Sequence, residues 1–216
     1  KHKTNIHQLE ALLFGQAGLL NDSFDENYPQ LLQNEYAYLK KKYQLNRIDS
    51  HLWKFSRMRP VNFPTIRIAQ FAALIHHSSH LFSKIISSQN PDELIKLFKV
   101  TASTYWDTHY TFQKSTAQLK KNIGKTAIEN LIINTIVPFV FIYGRHYGNE
   151  SKCELALNLL EKINPEKNNI TQIWTDIGVK AENSLHSQAL IELKNNHCDL
   201  KKCLQCSVGY YIIKNN

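Results

Sequence analysis

Three of the four cysteines fall within nine residues near the C-terminus, in the run His197-Cys198-Asp199-Leu200-Lys201-Lys202-Cys203-Leu204-Gln205-Cys206. The Cys-x4-Cys-x2-Cys spacing of Cys198, Cys203 and Cys206 offers three thiolates to zinc or to an iron-sulfur cluster, and a closed site needs a fourth ligand. His197 adjoins Cys198 and is awkwardly placed for the same metal, while Cys153 is distant in sequence. The same residues have a second reading. Cys203, Cys206, Tyr210 and Ile213 follow helical spacing, so two of the thiols can be small packed residues. A redox pair is the third reading.

A different chemistry is suggested by Arg57-Met58-Arg59-Pro60-Val61-Asn62-Phe63-Pro64-Thr65-Ile66-Arg67. The prolines fix the backbone, and guanidinium forks match phosphate or carboxylate oxygens bidentately. On a continuous helix Arg67 shares a face with Phe71, Leu74, Ser78, Phe82, Ile85 and Ile86. A charge on an apolar face needs a partner. Two readings therefore stand: Arg67 pairs with an internal acid such as Glu10, or Arg57, Arg59, Asn62 and Arg67 bind a phosphate or another anion.

The surrounding charge bears on the second reading. Lys and Arg exceed Asp and Glu by eight over the 216 residues. Eight of the basic residues (Lys40, Lys41, Lys42, Arg47, Lys54, Arg57, Arg59 and Arg67) lie in one stretch with a single acid, Asp49. A second acid-free stretch holds Lys114, Lys120, Lys121 and Lys125. Such a field attracts polyanions through counterion release, which makes DNA or RNA the leading partner class, against the plain alternative of a solvated basic surface.

Other motifs carry less. His76, His77 and His80 have metal-like spacing, but the helical projection points His80 away from the apolar face, with no acidic ligand nearby. Ile123-Gly124-Lys125-Thr126 lacks the earlier glycine and the strand of a phosphate-binding loop. No serine, cysteine or carboxylate pair stands in a recognisable catalytic context, so whether the chain is an enzyme stays open.

The elements that must position these residues read as helices, because apolar spacings of three and four dominate. Helices are expected at Asn5 to Leu20, Glu26 to Lys42, Pro64 to about Ser88, Glu93 to Val100, Ser103 to Lys114, Lys125 to Tyr147, Ser151 to Ile163, Thr171 to Val179, Ala181 to Asn195 and Cys203 to Lys214. Ser50 to Phe63 should be irregular, stopped by its prolines. The fold class is all-α: a compact single-domain bundle of about nine or ten helices spanning residues 1–216. The first helix and Lys125 to Tyr147 should form its centre, the latter kinked at Pro138. The apolar run Leu131 to Tyr143 falls short of the roughly 20 residues of a membrane span, so no membrane partner is expected. Clustered thiols suit a reducing compartment, and a cytoplasmic location follows. The sequence lacks an initiating methionine and is expected to belong to a longer protein.

Four segments together resemble one family: Gln8 to Leu20, Arg59 to Gln70, Asn134 to Gly144, and Ser187 to Lys194 leading into the cysteines. They are similar to DUF2851, a family of uncharacterised Bacteroidetes proteins. The resemblance implies that this chain is the C-terminal half of a longer protein. It also implies that the preceding N-terminal domain has acidic motifs like those of PD-(D/E)xK nucleases, with any metal-dependent phosphodiester chemistry there. The expected function is then a non-catalytic accessory domain that binds nucleic acid through Lys40, Lys41, Lys42, Arg57, Arg59, Asn62 and Arg67. The alternatives are a structural or protein-interaction domain, and an enzyme using Glu10, Arg59, Asn62 and Arg67 on a small anionic substrate.

Overall fold

A computed structural model describes residues 4–215. It is mostly helical, with ten α-helices among the described residues: α1 Ile6–Gln16, α2 Asn27–Tyr43, α3 Pro64–His77, α4 Leu81–Ser87, α5 Pro91–Phe98, α6 Lys125–His146, α7 Glu150–Glu161, α8 Asn169–Asp176, α9 Ser184–Leu193 and α10 Ser207–Asn215. The chain forms two compact units. One runs to Lys84 and takes in Lys96–Lys125; the other comprises Ile85–Ile95 and the chain from Thr126 onward.

Asparagine side chains open many of these helices, because a short side-chain oxygen can take an amide that the first turn leaves unpaired. Asn5 accepts from the Gln8 amide (3.2 Å), Asn149 from Lys152 and Asn183 from His186. Asn168 and Thr171 cap each other's amides reciprocally at the start of α8. At α5 the Asn90 oxygen accepts from the Glu93 amide at 3.0 Å, in the run Asn90-Pro91-Asp92-Glu93, whose residue types suit a helix start.

The first unit packs α1, α2 and α3 around Ala11, Phe14, Leu32, Tyr36, Ile66, Ala69 and Trp106. Ser103 to Lys114 is not a helix. A short 3-10 turn at Thr104–Asp107 is followed by a hairpin, β1 His109–Thr111 and β2 Lys114–Ser115, paired antiparallel. The Thr108-His109-Tyr110-Thr111-Phe112 stretch is rich in β-branched and aromatic residues that fit a pleated surface better than a helix.

The long helix expected from Pro64 to Ser88 is also interrupted. It stops at Ser78, which turns extended (ψ 108°), and His80 is left-handed (φ 54°) before α4 begins. Ser78 and Ser79 compete with the helix for backbone hydrogen bonds, and no strong helix former offsets them between His76 and His80. The face projected through Phe71 and Phe82 is therefore not the core face. Those two rings are 49% and 46% exposed, whereas Ile66, Ala69, Gln70 and Ala73 are buried.

In the second unit α6 packs Ile132, Ile136 and Val140 beside Leu155, Ala156 and Leu159 of α7. Ahead of Pro138 the helix widens into a π-helical turn at Ile132–Ile136, which accommodates a residue without an amide hydrogen. At 22 residues, α6 is long and apolar enough to cross a membrane by length and composition alone, longer than the apolar run in the sequence suggested. Yet its buried isoleucines and Val140 are core positions of this unit.

A close approach of α1 to α2 is at Gly15, where a Cβ would fall inside the Tyr36 ring. Alanine would gain up to about 1 kcal/mol of helix propensity. Overpacking costs about 1–3 kcal/mol and should win, because Tyr36 is buried and its hydroxyl is held by Gln16 at 2.9 Å. Gly15→Ala is expected to lower the urea midpoint; an unchanged midpoint would show that Tyr36 can step aside freely.

Candidate functional site

The basic segment leaves the end of α2, where Lys40, Lys41 and Lys42 are all exposed. Lysines there suit the negative end of the helix dipole. Gln44 takes the left-handed conformation that ends the helix (φ 52°, ψ 45°), and the chain returns across the turn after α1. There the Ile48 amide donates to the Gln16 carbonyl at 2.9 Å, and Trp53 Nε1 donates to the Ala17 carbonyl at 2.7 Å. Gly18 (φ +70°) allows this approach, since a Cβ would lie 2.6 Å from the Ile48 oxygen. Arg47 binds the Asn21 side-chain oxygen.

Beyond Trp53 the chain holds Arg57 at φ 60°, a conformation that costs a non-glycine residue about 1 kcal/mol or more. Arg57 and Arg59 are exposed, and Pro60–Asn62 forms a 3-10 turn that leads into α3. Arg67 does not meet Glu10. Its Nη2 donates to Asn62 Oδ1 at 2.6 Å and its Nη1 to Gln70 Oε1 at 3.0 Å. Both partners are neutral amides, so the half-buried guanidinium keeps its charge without a carboxylate to offset it. Burial lowers its pKa from the usual value. Among the described residues Lys40, Lys41, Lys42, Arg57 and Arg59 form no ion pair with an acid. The expected set thus divides: Asn62 and Arg67 brace the proline turn, and the other five present charge to solvent.

One lysine leaves the basic field. Lys121 is 3% exposed and donates through Nζ to the carbonyls of Leu119 (2.9 Å) and Asp107 (3.1 Å), lying 4.1 Å from the centre of the Tyr110 ring. It is structural, and it shortens the second basic stretch to Lys114, Lys120 and Lys125.

Glu10 is fully buried. Its Oε2 accepts from the Tyr28 hydroxyl at 2.7 Å and from Trp106 Nε1 at 3.1 Å. Tyr28 stacks on Tyr105 with ring centres 4.4 Å apart, and Tyr105 stacks on His109, whose Nε2 lies 3.0 Å from Glu26. Removal from water raises the Glu10 pKa above its ordinary 4.5, with hydrogen bonding from Tyr28 and Trp106 pulling the other way. The quartet proposed for a small-anion enzyme is therefore not assembled, because Glu10 is sealed in the core and Arg67 is held by amides.

A cleft of about 290 Å³ opens beside the basic segment, between the turn after α1, the strand-like stretch through Trp53 and Phe55, and the hairpin tip at Phe112 and Gln113. Sequence reasoning missed it because four separated segments build it, Thr65 at the start of α3 being the fourth. The available signal was the alternation of aromatic and basic residues from Trp53 to Arg57.

The cysteines are not gathered. Cys198 ends a π-helical turn and is exposed, Cys203 opens a separate 3-10 turn and is exposed, and Cys206 is half-buried. Among the described residues no group of three or more His, Cys, Asp or Glu is placed to hold a metal ion. The donor set does not fit zinc or an iron-sulfur cluster as arranged here. Nor do Cys203, Cys206, Tyr210 and Ile213 form one packed helix face. The chain turns extended at Cys206, α10 starts at Ser207, and Tyr210 and Ile213 are 56% and 55% exposed.

A family model described as "Protein of unknown function (DUF2851)" matches residues 1–169 and so stops before the cysteine run. No curated protein and no solved structure matches the chain.

The Glu10 site sets a pH dependence. The folded state holds this proton to higher pH than the unfolded chain does, so the stability it contributes is complete below about 4.5 and is lost as pH rises through the folded-state value. Glu10→Gln keeps an acceptor for Tyr28 and Trp106 and is expected to flatten that decline in urea unfolding between about pH 4 and pH 9. Glu10→Leu orphans both donors, at about 1–3 kcal/mol each. Equal pH slopes for the native protein and Glu10→Gln would contradict the assignment.

Proposed function

The chain belongs to the DUF2851 family, and we propose that it is a non-catalytic nucleic-acid-binding domain that grips the phosphate backbone, serving as the accessory part of a longer nuclease-like protein. The observation that carries this reading is unneutralised charge. Lys40, Lys41, Lys42, Arg57 and Arg59 are exposed without acidic partners, and Arg67 is half-buried against amides alone. A left-handed arginine adds to it: the loop keeps Arg57 in a conformation that costs energy, and such backbone outliers cluster at functional positions.

A second reading, a protein-interaction domain, is favoured by the C-terminal region, where Leu204, Val208, Tyr211 and Ile212 are all at least half exposed. Exposed apolar positions on a short helix suit a protein partner better than a polyanion.

Titration of a fluorescent single strand at several salt concentrations separates the two. On the first reading, log K falls linearly with log salt, and each phosphate contact removed lowers that slope by roughly 0.7. Arg57→Ala and Arg59→Ala should each weaken binding and reduce the slope by about that amount. Binding that ignores both substitutions, or no binding at low salt, would overturn the proposal and leave the protein-interaction reading.

A further inference from the structure

We infer that the cleft beside the basic segment receives one unstacked base of a single-stranded nucleic acid, with guanine preferred. This deepens the phosphate-binding reading above and rests on it. The cleft holds about 290 Å³, room for a nucleobase with part of its sugar, and its walls are of two kinds.

The first kind is aromatic. Trp53 and Phe55 come from the basic segment itself, and Phe112 from the hairpin tip. The rings are held in place before any ligand arrives. Trp53 is tied to the Ala17 carbonyl at 2.7 Å, and Phe55 meets Phe63 edge-on, with ring centres 5.3 Å apart at 75°. Aromatic faces interleaved with arginines and lysines are the arrangement that binds single strands, since bases stack while phosphates find cations.

The second kind is polar and mostly spoken for. Asn21 donates to the Gly18 carbonyl at 2.8 Å and accepts from Arg47. Gln113 donates to one oxygen of Asp22 at 3.2 Å. Besides the Ser50 and Thr111 hydroxyls, which can donate or accept, the rim offers the exposed Asp22 carboxylate, which accepts hydrogen bonds and donates none. Guanine presents two adjacent N–H donors, N1–H and N2–H, on its Watson–Crick edge, and a carboxylate can accept both. Adenine, cytosine and thymine pair at most one donor there with an acceptor alongside.

An organic amine would also satisfy rings and a carboxylate. Charge decides against it, because Arg47, Lys54, Arg57 and Arg59 all lie on the segment that forms one wall. They repel a cation and attract a base that arrives with its phosphates.

The test uses strands of equal length built from abasic residues, carrying at the centre one guanine, one hypoxanthine (which lacks the N2 donor) or no base, measured by fluorescence anisotropy. The guanine strand should bind at least about fivefold tighter than the wholly abasic one, with hypoxanthine between them. Phe55→Leu should remove that advantage and leave abasic binding unchanged. Asp22→Asn, which is isosteric and keeps an acceptor for Gln113, should bring guanine down to hypoxanthine. Arg57→Ala should weaken all three strands by one common factor. Equal binding of the guanine and abasic strands, or a guanine advantage untouched by both Phe55→Leu and Asp22→Asn, overturns the inference and leaves the phosphate reading standing. If no strand binds, both fall together.

Discussion

The first unit depends on hiding one carboxyl group. Glu10 has no exposure to water, and its Oε2 receives donors from two other parts of the chain, the Tyr28 hydroxyl on α2 and the Trp106 indole on the 3-10 turn. Each donor alone would be an ordinary hydrogen bond. Together they fix α1 against both neighbours, because breaking either leaves a polar group unpaired in the core. The raised pKa is the corollary: a site that excludes water this thoroughly favours the neutral acid.

Fixing α1 also fixes what hangs from its C-terminal end. Gln16 and Ala17 accept the two hydrogen bonds that anchor the basic segment, and Gly18 gives it room. None of these anchors uses a charged side chain. The segment is therefore held by backbone carbonyls that accept one amide and one indole N–H, and Arg47 binds only the neutral Asn21 side chain, so the charge of its lysines and arginines stays unneutralised. A surface loop stabilised by salt bridges would have had the opposite electrostatic character. The division of labour at the proline turn follows the same pattern: Asn62 and Gln70 satisfy the geometry of Arg67 without cancelling its charge.

Much of this architecture was legible in local sequence. Helix periodicity located most of the helices, because that signal acts over three or four residues. Prolines 60 and 64 marked the irregular stretch and the start of α3. Local reasoning failed where neighbours in space decide. Ser103 to Lys114 has mixed spacing, and only the burial of Trp106 and Phe112 against α1 and its following turn resolves it into a 3-10 turn and a hairpin. The break at Ser78 shifted the phase of every residue after it, so the projected face through Phe82 was lost. One of the two readings of Arg67 paired it with Glu10, and the structure pairs neither with the other. Nothing in sequence spacing reveals that Tyr28 and Trp106 reach Glu10 first. The basic field was visible as a count, whereas Lys121 turning inward and the cleft under Trp53 were not.

The most direct test of the account is to locate a bound strand on the protein. Ultraviolet crosslinking of a short single strand to the full chain, followed by mass spectrometry of the crosslinked peptides, reports that position without a substitution. The account predicts crosslinks concentrated between Lys40 and Arg59, with Trp53 or Phe55 among the modified residues. Crosslinks confined to the chain beyond Thr126, or spread evenly over every exposed lysine, would contradict it.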